Sequence, residues 1–161
     1  MSAKTPFSHL DGAGHPRMVD VSAKPVTRRI AEASCRVVLS PETVRRLDDL
    51  PKGDALAVAR LAGIQGAKRT AELVPLAHPL PLDQIEVDLL PDQGGVAIRS
   101  RVVVHGRTGA EMEALTACAV AALALYDMVK SVERGAVVTD LRLEAKSGGR
   151  HGSYRRRGSG R

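Results

Sequence analysis

Residues 111–133, EMEALTACAVAALALYDMVKSVE, impose the tightest constraint on the fold. The stretch is rich in Ala and Leu and holds neither Gly nor Pro, so it reads as one long helix. Thr108-Gly109-Ala110-Glu111 fits a T-x-x-E capping box ahead of it, and Gly135 marks its end. A helix apolar nearly all round must be buried on most sides. The rest of the chain therefore has to supply a sheet and at least one further helix to cover it.

That cover is legible on both sides. Ser34–Ser40 (SCRVVLS) has the β-branched content of a strand. Pro41 then opens a short helical turn. Asp54 is placed to cap a helix over about residues 55–72. Gly63 and Gly66 sit near one face of that helix, where each costs roughly 1 kcal/mol against Ala, so another backbone is expected to pack closely there. Val74–Leu82 (VPLAHPLPL) has three prolines and is an apolar but extended loop. Gln84–Leu90 and Gly95–His105 alternate around the turn 91–95 and form a hairpin, and Val137–Ala145 is the last strand. Strand, helix, strand, strand, helix, strand is the order of an α+β, ferredoxin-like domain, an antiparallel sheet with two main helices packed on one face.

With 161 residues and no internal repeat, the chain suits a single domain over 18–149. Residues 1–17 read as a flexible N-terminal arm. Residues 150–161 read as a basic, disordered tail that holds five arginines and no acid. Without that tail, 19 basic side chains face 18 acidic ones, so the net charge of +6 says little about the body. Aromatics make up only 2%, which argues against base stacking as the recognition mode of an RNA-binding sheet. Cys35 and Cys118 form neither a CxxC nor a disulfide framework, and no secretory signal or membrane span is visible. A cytoplasmic location is expected. The histidines include no HxH or HExxH, so no metal site is expected.

Three polar residues stand out on the apolar helix. Asp127 and Lys130, three apart, read either as a local ion pair or as an acid/base pair with pKa values moved by burial and by each other. Glu113 lies fourteen residues earlier, ~21 Å along the axis but near the same face. Either the two ends serve different purposes, or an antiparallel two-fold pairing of this helix brings them together. Glu111 completes the capping box. His78, in the Pro-rich loop, is a candidate base or phosphate partner, or simply a ring satisfied by a backbone carbonyl. Lys52 precedes a helix N-terminus and Lys146 precedes Ser147-Gly148-Gly149, two places suited to an anion.

Five strings carry a resemblance: MVDVSAK (18–24), KGDALAVARLAGIQGAKRT (52–70), LVPLAHPLPL (73–82), TGAEMEALTACAVAALALYDMVK (108–130) and KSGG (146–149). Together they resemble the cyclic pyranopterin monophosphate synthase family of molybdenum cofactor biosynthesis. The resemblance implies a lyase that converts 3′,8-cyclo-7,8-dihydroguanosine 5′-triphosphate to the cyclic pyranopterin with release of diphosphate. It also implies a trimer of dimers with active sites at a subunit interface. Residue by residue it assigns Asp127, Lys130 and Lys52 to catalysis. Leu76, Ala77, His78, Met112, Glu113, Lys146 and Arg29 are assigned to substrate binding. No cofactor is required, although a triphosphate is compatible with Mg²⁺. Ala77 stands where the family usually has Cys, so no thiol is essential there. Arg150 replaces an expected lysine and can hold phosphate but not exchange protons. The alternatives from other classes are a non-catalytic or an RNA-binding ferredoxin-like module; the lysines and Asp127 weigh against the first.

Overall fold

A computed structural model describes residues 9–11, 13–149 and 152–157. The elements in order are β1 (Thr27–Val38), α1 (Pro41–Arg45), α2 (Ala55–Lys68), α3 (Thr70–Leu73), β2 (Leu82–Asp92), β3 (Gly95–Gly106), α4 (Glu111–Val129), β4 (Val137–Ser147) and β5 (Tyr154–Arg155). The strands form one antiparallel sheet in the order β2-β3-β1-β4-β5. Helices α2 and α4 cover one face, as the element order requires.

Several local features follow the sequence closely. Asp54 caps α2 by accepting from the Ala57 amide at 2.9 Å. Ser40 caps α1, with Pro41 in its first turn. The β2–β3 hairpin closes through Gln93-Gly94, whose Gly94 amide donates to Asp92 Oδ1 at 2.8 Å. The helix glycines do bring backbones together. A Cβ on Gly63 would lie 2.9 Å from the Ala117 carbonyl oxygen, and one on Gly66 would lie 2.8 Å from the Val120 side chain. Those two contacts lock α2 against α4.

Several features differ from the sequence reading. β1 starts at Thr27, not Ser34. Its inward residues there are Ala31 and Ala33, which are buried but give little strand signal by themselves. The helix expected over 55–72 is interrupted at Arg69, whose backbone leaves the helical region. The long helix stops at Val129, with only turns beyond it. The capping box does not form: Ala110 is the N-cap, and no side chain caps the helix. In the basic segment 150–161, Tyr154–Arg155 pairs with β4 as a short edge strand, while Arg150, His151 and 158–161 lie outside the described residues.

α4 is long and apolar enough to cross a bilayer by length and composition, yet half of it is buried in this fold. Its small residues Ala114, Ala117, Cys118, Ala121 and Ala122 let the sheet and α2 approach closely, and Leu125 and Val129 fill the core. The two cysteines meet there, with Cys35 Sγ donating to the Cys118 carbonyl at 3.4 Å; both thiols are free. The other face of the sheet carries alternating charges. Arg101 lies 3.6 Å from Glu32 and 3.8 Å from Glu86. A depression of about 670 Å³ on that side is lined by these groups and holds none of the candidate site residues. It is a solvated sheet surface rather than a catalytic pocket.

Candidate active site

The candidate residues fall into three groups, set at the two ends of α4. At its C-terminal end, the Asp127 carboxylate holds two ammonium groups. Lys130 Nζ lies 2.7 Å from Oδ1, and Lys52 Nζ lies 2.7 Å from Oδ2 and also donates to the Asp127 carbonyl at 2.8 Å. Lys52 is placed by the turn that leads to the Asp54 cap, and Lys130 by the last turn of α4. All three side chains are substantially exposed. The hydrogen bonds from Lys130 and then Lys52 hold the Asp127 carboxyl down at about 2, and the same pairing raises Lys130. Hydrogen bonds between these neighbours therefore move the pKa values, their charges add to the shift, and burial opposes it, the reverse of the weighting that an apolar helix suggests. At neutral pH the cluster is one carboxylate between two ammoniums.

At the N-terminal end, Leu76, Ala77, His78, Met112 and Glu113 share one cavity of about 400 Å³ with Val19, Val21, Lys24, Thr108 and Gly109. That volume suits a small molecule. The loop is not extended throughout, as its prolines suggested: Val74–Ala77 is a turn closed by the Ala77 amide donating to the Val74 carbonyl at 3.0 Å, and only the stretch 77–81, which presents His78 to the cavity, lacks regular structure. His78 Nε2 is 2.8 Å from the Val19 carbonyl. A carbonyl only accepts, so Nε2 carries a proton, and Nδ1 is the acceptor of the neutral ring. Satisfaction by a backbone carbonyl and a place in the pocket thus hold together. Glu113 is only 4% exposed. Burial pushes its carboxyl up to about 7; its own backbone amide pulls the other way, and Glu111 adds to the rise.

The third group adjoins the second through Gly109, which lines both cavities. Arg29, Glu111, Lys146 and Gly148 surround a space of about 40 Å³. Gly148 and Gly149 both have positive φ, at 88° and 80°, which bends the backbone after β4 into a concave turn. Lys146 Nζ lies 2.7 Å from Glu111 Oε1. Glu111 thus neutralises this lysine instead of closing a capping box, a role that spacing along one helix could not reveal. Arg29 donates to the carbonyls of Gly106 and Arg107, both at 3.0 Å.

Within one chain, the Lys52–Asp127–Lys130 cluster does not meet the other two groups, because α4 separates them. Among the described residues, no three His, Cys, Asp or Glu side chains converge as metal ligands.

The buried Glu113 sets a pH dependence of stability. Its folded pKa lies above the unfolded value, so its contribution is full below the unfolded pKa and is lost as pH rises through about 7. Lys24 and His78 line the same cavity, and Glu111 is on the same helix. Glu113→Gln is expected to flatten the fall in melting temperature between about pH 5 and pH 8. Equal slopes for variant and wild type in a pH series of thermal melts would reject this role.

Comparison with known proteins places the chain in a family. The family model described as "MoaC family" matches residues 18–149. The chain is 54% identical over 158 residues to a cyclic pyranopterin monophosphate synthase of Streptomyces griseus, covering 97% of this chain and 89% of that protein. The same-named protein of Parvibaculum lavamentivorans is 54% identical over 159 residues, covering 96% and 99%. Cyclic pyranopterin monophosphate synthase 1 of Mycobacterium tuberculosis is 51% identical over 156 residues, covering 95% and 92%.

Proposed function

The chain belongs to the MoaC family, and on that premise we propose how its side chains carry out the cyclic pyranopterin monophosphate synthase reaction. The activity is that of a lyase in molybdenum cofactor biosynthesis. It rearranges a cyclised guanosine triphosphate into the cyclic pyranopterin and releases diphosphate.

The observation that carries the reading is the Asp127 carboxylate gripped by Lys52 and Lys130. The rearrangement opens one ring, closes another and moves protons, so it needs both a proton donor and an acceptor. Lys130 enters protonated and serves as donor; Asp127 enters ionised and serves as acceptor. In the resting cluster Asp127 is a weak base. When the triphosphate draws Lys52 away, Asp127 loses one of its two cationic partners and its basicity rises. Lys52, Lys146 and Arg29 hold phosphates. Leu76, Ala77, Met112, His78 and Glu113 hold the guanine-derived end, with the buried Glu113 able to donate or accept a hydrogen bond near neutral pH. Ala77 shapes the pocket wall only. Mg²⁺ can travel with the triphosphate without a ligand set of its own on the chain.

The complete site takes two copies of the chain. Leu61 and Val58 on α2 and Leu123 on α4 are 67%, 42% and 63% exposed. Apolar exposure of this kind on the helical layer marks an interaction surface. Antiparallel two-fold pairing there sets the His78–Glu113 end of one protomer beside the partner's Asp127 and Lys130. Three such dimers make the hexamer, in the cytoplasm, where the two free thiols stay reduced.

Mixed oligomers test the assignment. The wild-type chain is expected to turn the cyclised nucleotide into pterin and diphosphate. Lys130→Ala and His78→Ala homo-oligomers are expected to be nearly inactive. Refolding the two variants together regenerates some intact sites and restores part of the activity. No recovery in verified mixed oligomers would show that each site is built within one chain.

A further inference from the structure

We propose that Arg156 is a positioning residue for the phosphate-binding turn Ser147–Gly149, acting through the short strand β5. The inference rests on the triphosphate reading above, in which Lys146 and Arg29 hold phosphate, and it gives the basic C-terminal segment a role.

The turn is held from one side by β1. A Cβ on Gly148 would collide with the Arg28 carbonyl, and one on Gly149 with the Arg29 guanidinium. Only glycine fits so close, and glycine has the most backbone freedom to lose on folding. Such a turn needs a second constraint to keep its shape for a ligand. β5 supplies it on the C-terminal side. The Gly152 amide donates to the Gly149 carbonyl at 3.3 Å, Tyr154 pairs with Lys146, and Arg155 pairs with Ala145. The Tyr154–Lys146 pairing sets the backbone of the lysine itself, two residues before Gly148.

A two-residue strand at a sheet edge is marginal by itself. Its anchor is Arg156. The Arg156 amide donates to the Glu144 carbonyl at 2.8 Å, and Arg156 Nε donates to the Leu143 carbonyl at 3.0 Å. The pairing of β4 with β1 shifts register between Glu32 and Ala33, whose partners are Ala145 and Leu143. Glu144 falls at this bulge, opposite no single residue of β1. Arg156 thus grips β4 where β1 pairs with it least, just ahead of the residue that carries the ammonium. Arg156 is exposed, so replacing it leaves the core intact.

The test uses the full-length oligomer. Arg156→Pro removes both donors, since proline has no N–H. Arg156→Ala removes only the side-chain donor. Arg157→Ala removes the same charge one position later. Steady-state kinetics with the cyclised nucleotide are combined with calorimetric titration of inorganic tripolyphosphate and with hydrogen exchange of the amides of residues 145–149. Arg156→Ala is expected to raise KM about fivefold, and Arg156→Pro further, on the scale of one and two lost hydrogen bonds. The kcat should stay within about threefold. Tripolyphosphate affinity should weaken in parallel, exchange at 145–149 should quicken, and melting temperature should match the wild type. Arg157→Ala should change none of these. Wild-type KM and exchange in Arg156→Pro would overturn the proposal. An equal rise of KM in Arg157→Ala would also overturn it, because the tail would then act by charge alone. Lys146→Ala separates this inference from the reading beneath it. If that variant binds tripolyphosphate as the wild type does, the phosphate assignment of the cavity falls, and the exchange rates still decide whether Arg156 holds the turn.

Discussion

Lys130→Ala is expected to lower product formation by about 10²–10⁴-fold, the usual contribution of a positioned acid or base. The fold should survive it. Lys130 is about half exposed and caps the end of α4 through its backbone amide, which donates to the Tyr126 carbonyl at 2.9 Å and remains in the variant. Circular dichroism, oligomer size and melting temperature should match the wild type. Lys130→Arg separates charge from proton exchange. Arginine keeps the positive charge beside Asp127 but cannot give up its proton near neutral pH. If Lys130 acts as a proton donor, the Arg variant stays as inactive as the Ala variant; if it only neutralises charge, Arg restores much of the rate. Full activity in Lys130→Ala would remove it from the chemistry altogether.

Gly63→Val should be strongly destabilising, because it wedges apart the two main helices. The new Cβ would lie 2.9 Å from the Ala117 carbonyl oxygen, 3.0 Å from the Ala121 Cβ and 3.2 Å from Val87 Cγ1. The first of these is backbone within a helix and cannot move aside. α2 must therefore shift away from α4 and from β2. Overpacking of this kind reaches the upper end of roughly 1–3 kcal/mol. For a chain of this size that lowers the melting temperature by about 6–12 °C. The shift would also spread Lys52, just before α2, from Asp127 on α4, so activity should fall with stability. Gly135→Ala is the control, since a Cβ there meets nothing within 4 Å. A Gly63→Val protein that melts with the wild type would show that the α2–α4 contact is softer than its geometry.

What sequence reasoning could see varied with the range of the interaction involved. The α2–α4 contact was legible because two glycines on one helical face have few other uses. The hairpin was legible from alternation and a Gly-rich turn. The start of β1 was not, because Ala31 and Ala33 are buried by neighbouring strands rather than by any preference of their own. Glu111 was misassigned for a related reason. Its local motif satisfies a capping rule, but Lys146, 35 residues later, offers it a full charge at 2.7 Å.

The candidate site shows the same division. Asp127 and Lys130 are neighbours because a helix repeats every 3.6 residues, so the sequence determined that pair. It also determined that α4 had to be enclosed, and hence the α+β layering. The resemblance had named Lys52, but only the tertiary structure showed that it grips Asp127, across 75 positions of chain. The same holds for the Val19 carbonyl on His78 and for the burial that lifts Glu113. These depend on which surfaces the packed layers bring together and how much water they exclude, and neither quantity is a property of residues considered along the chain.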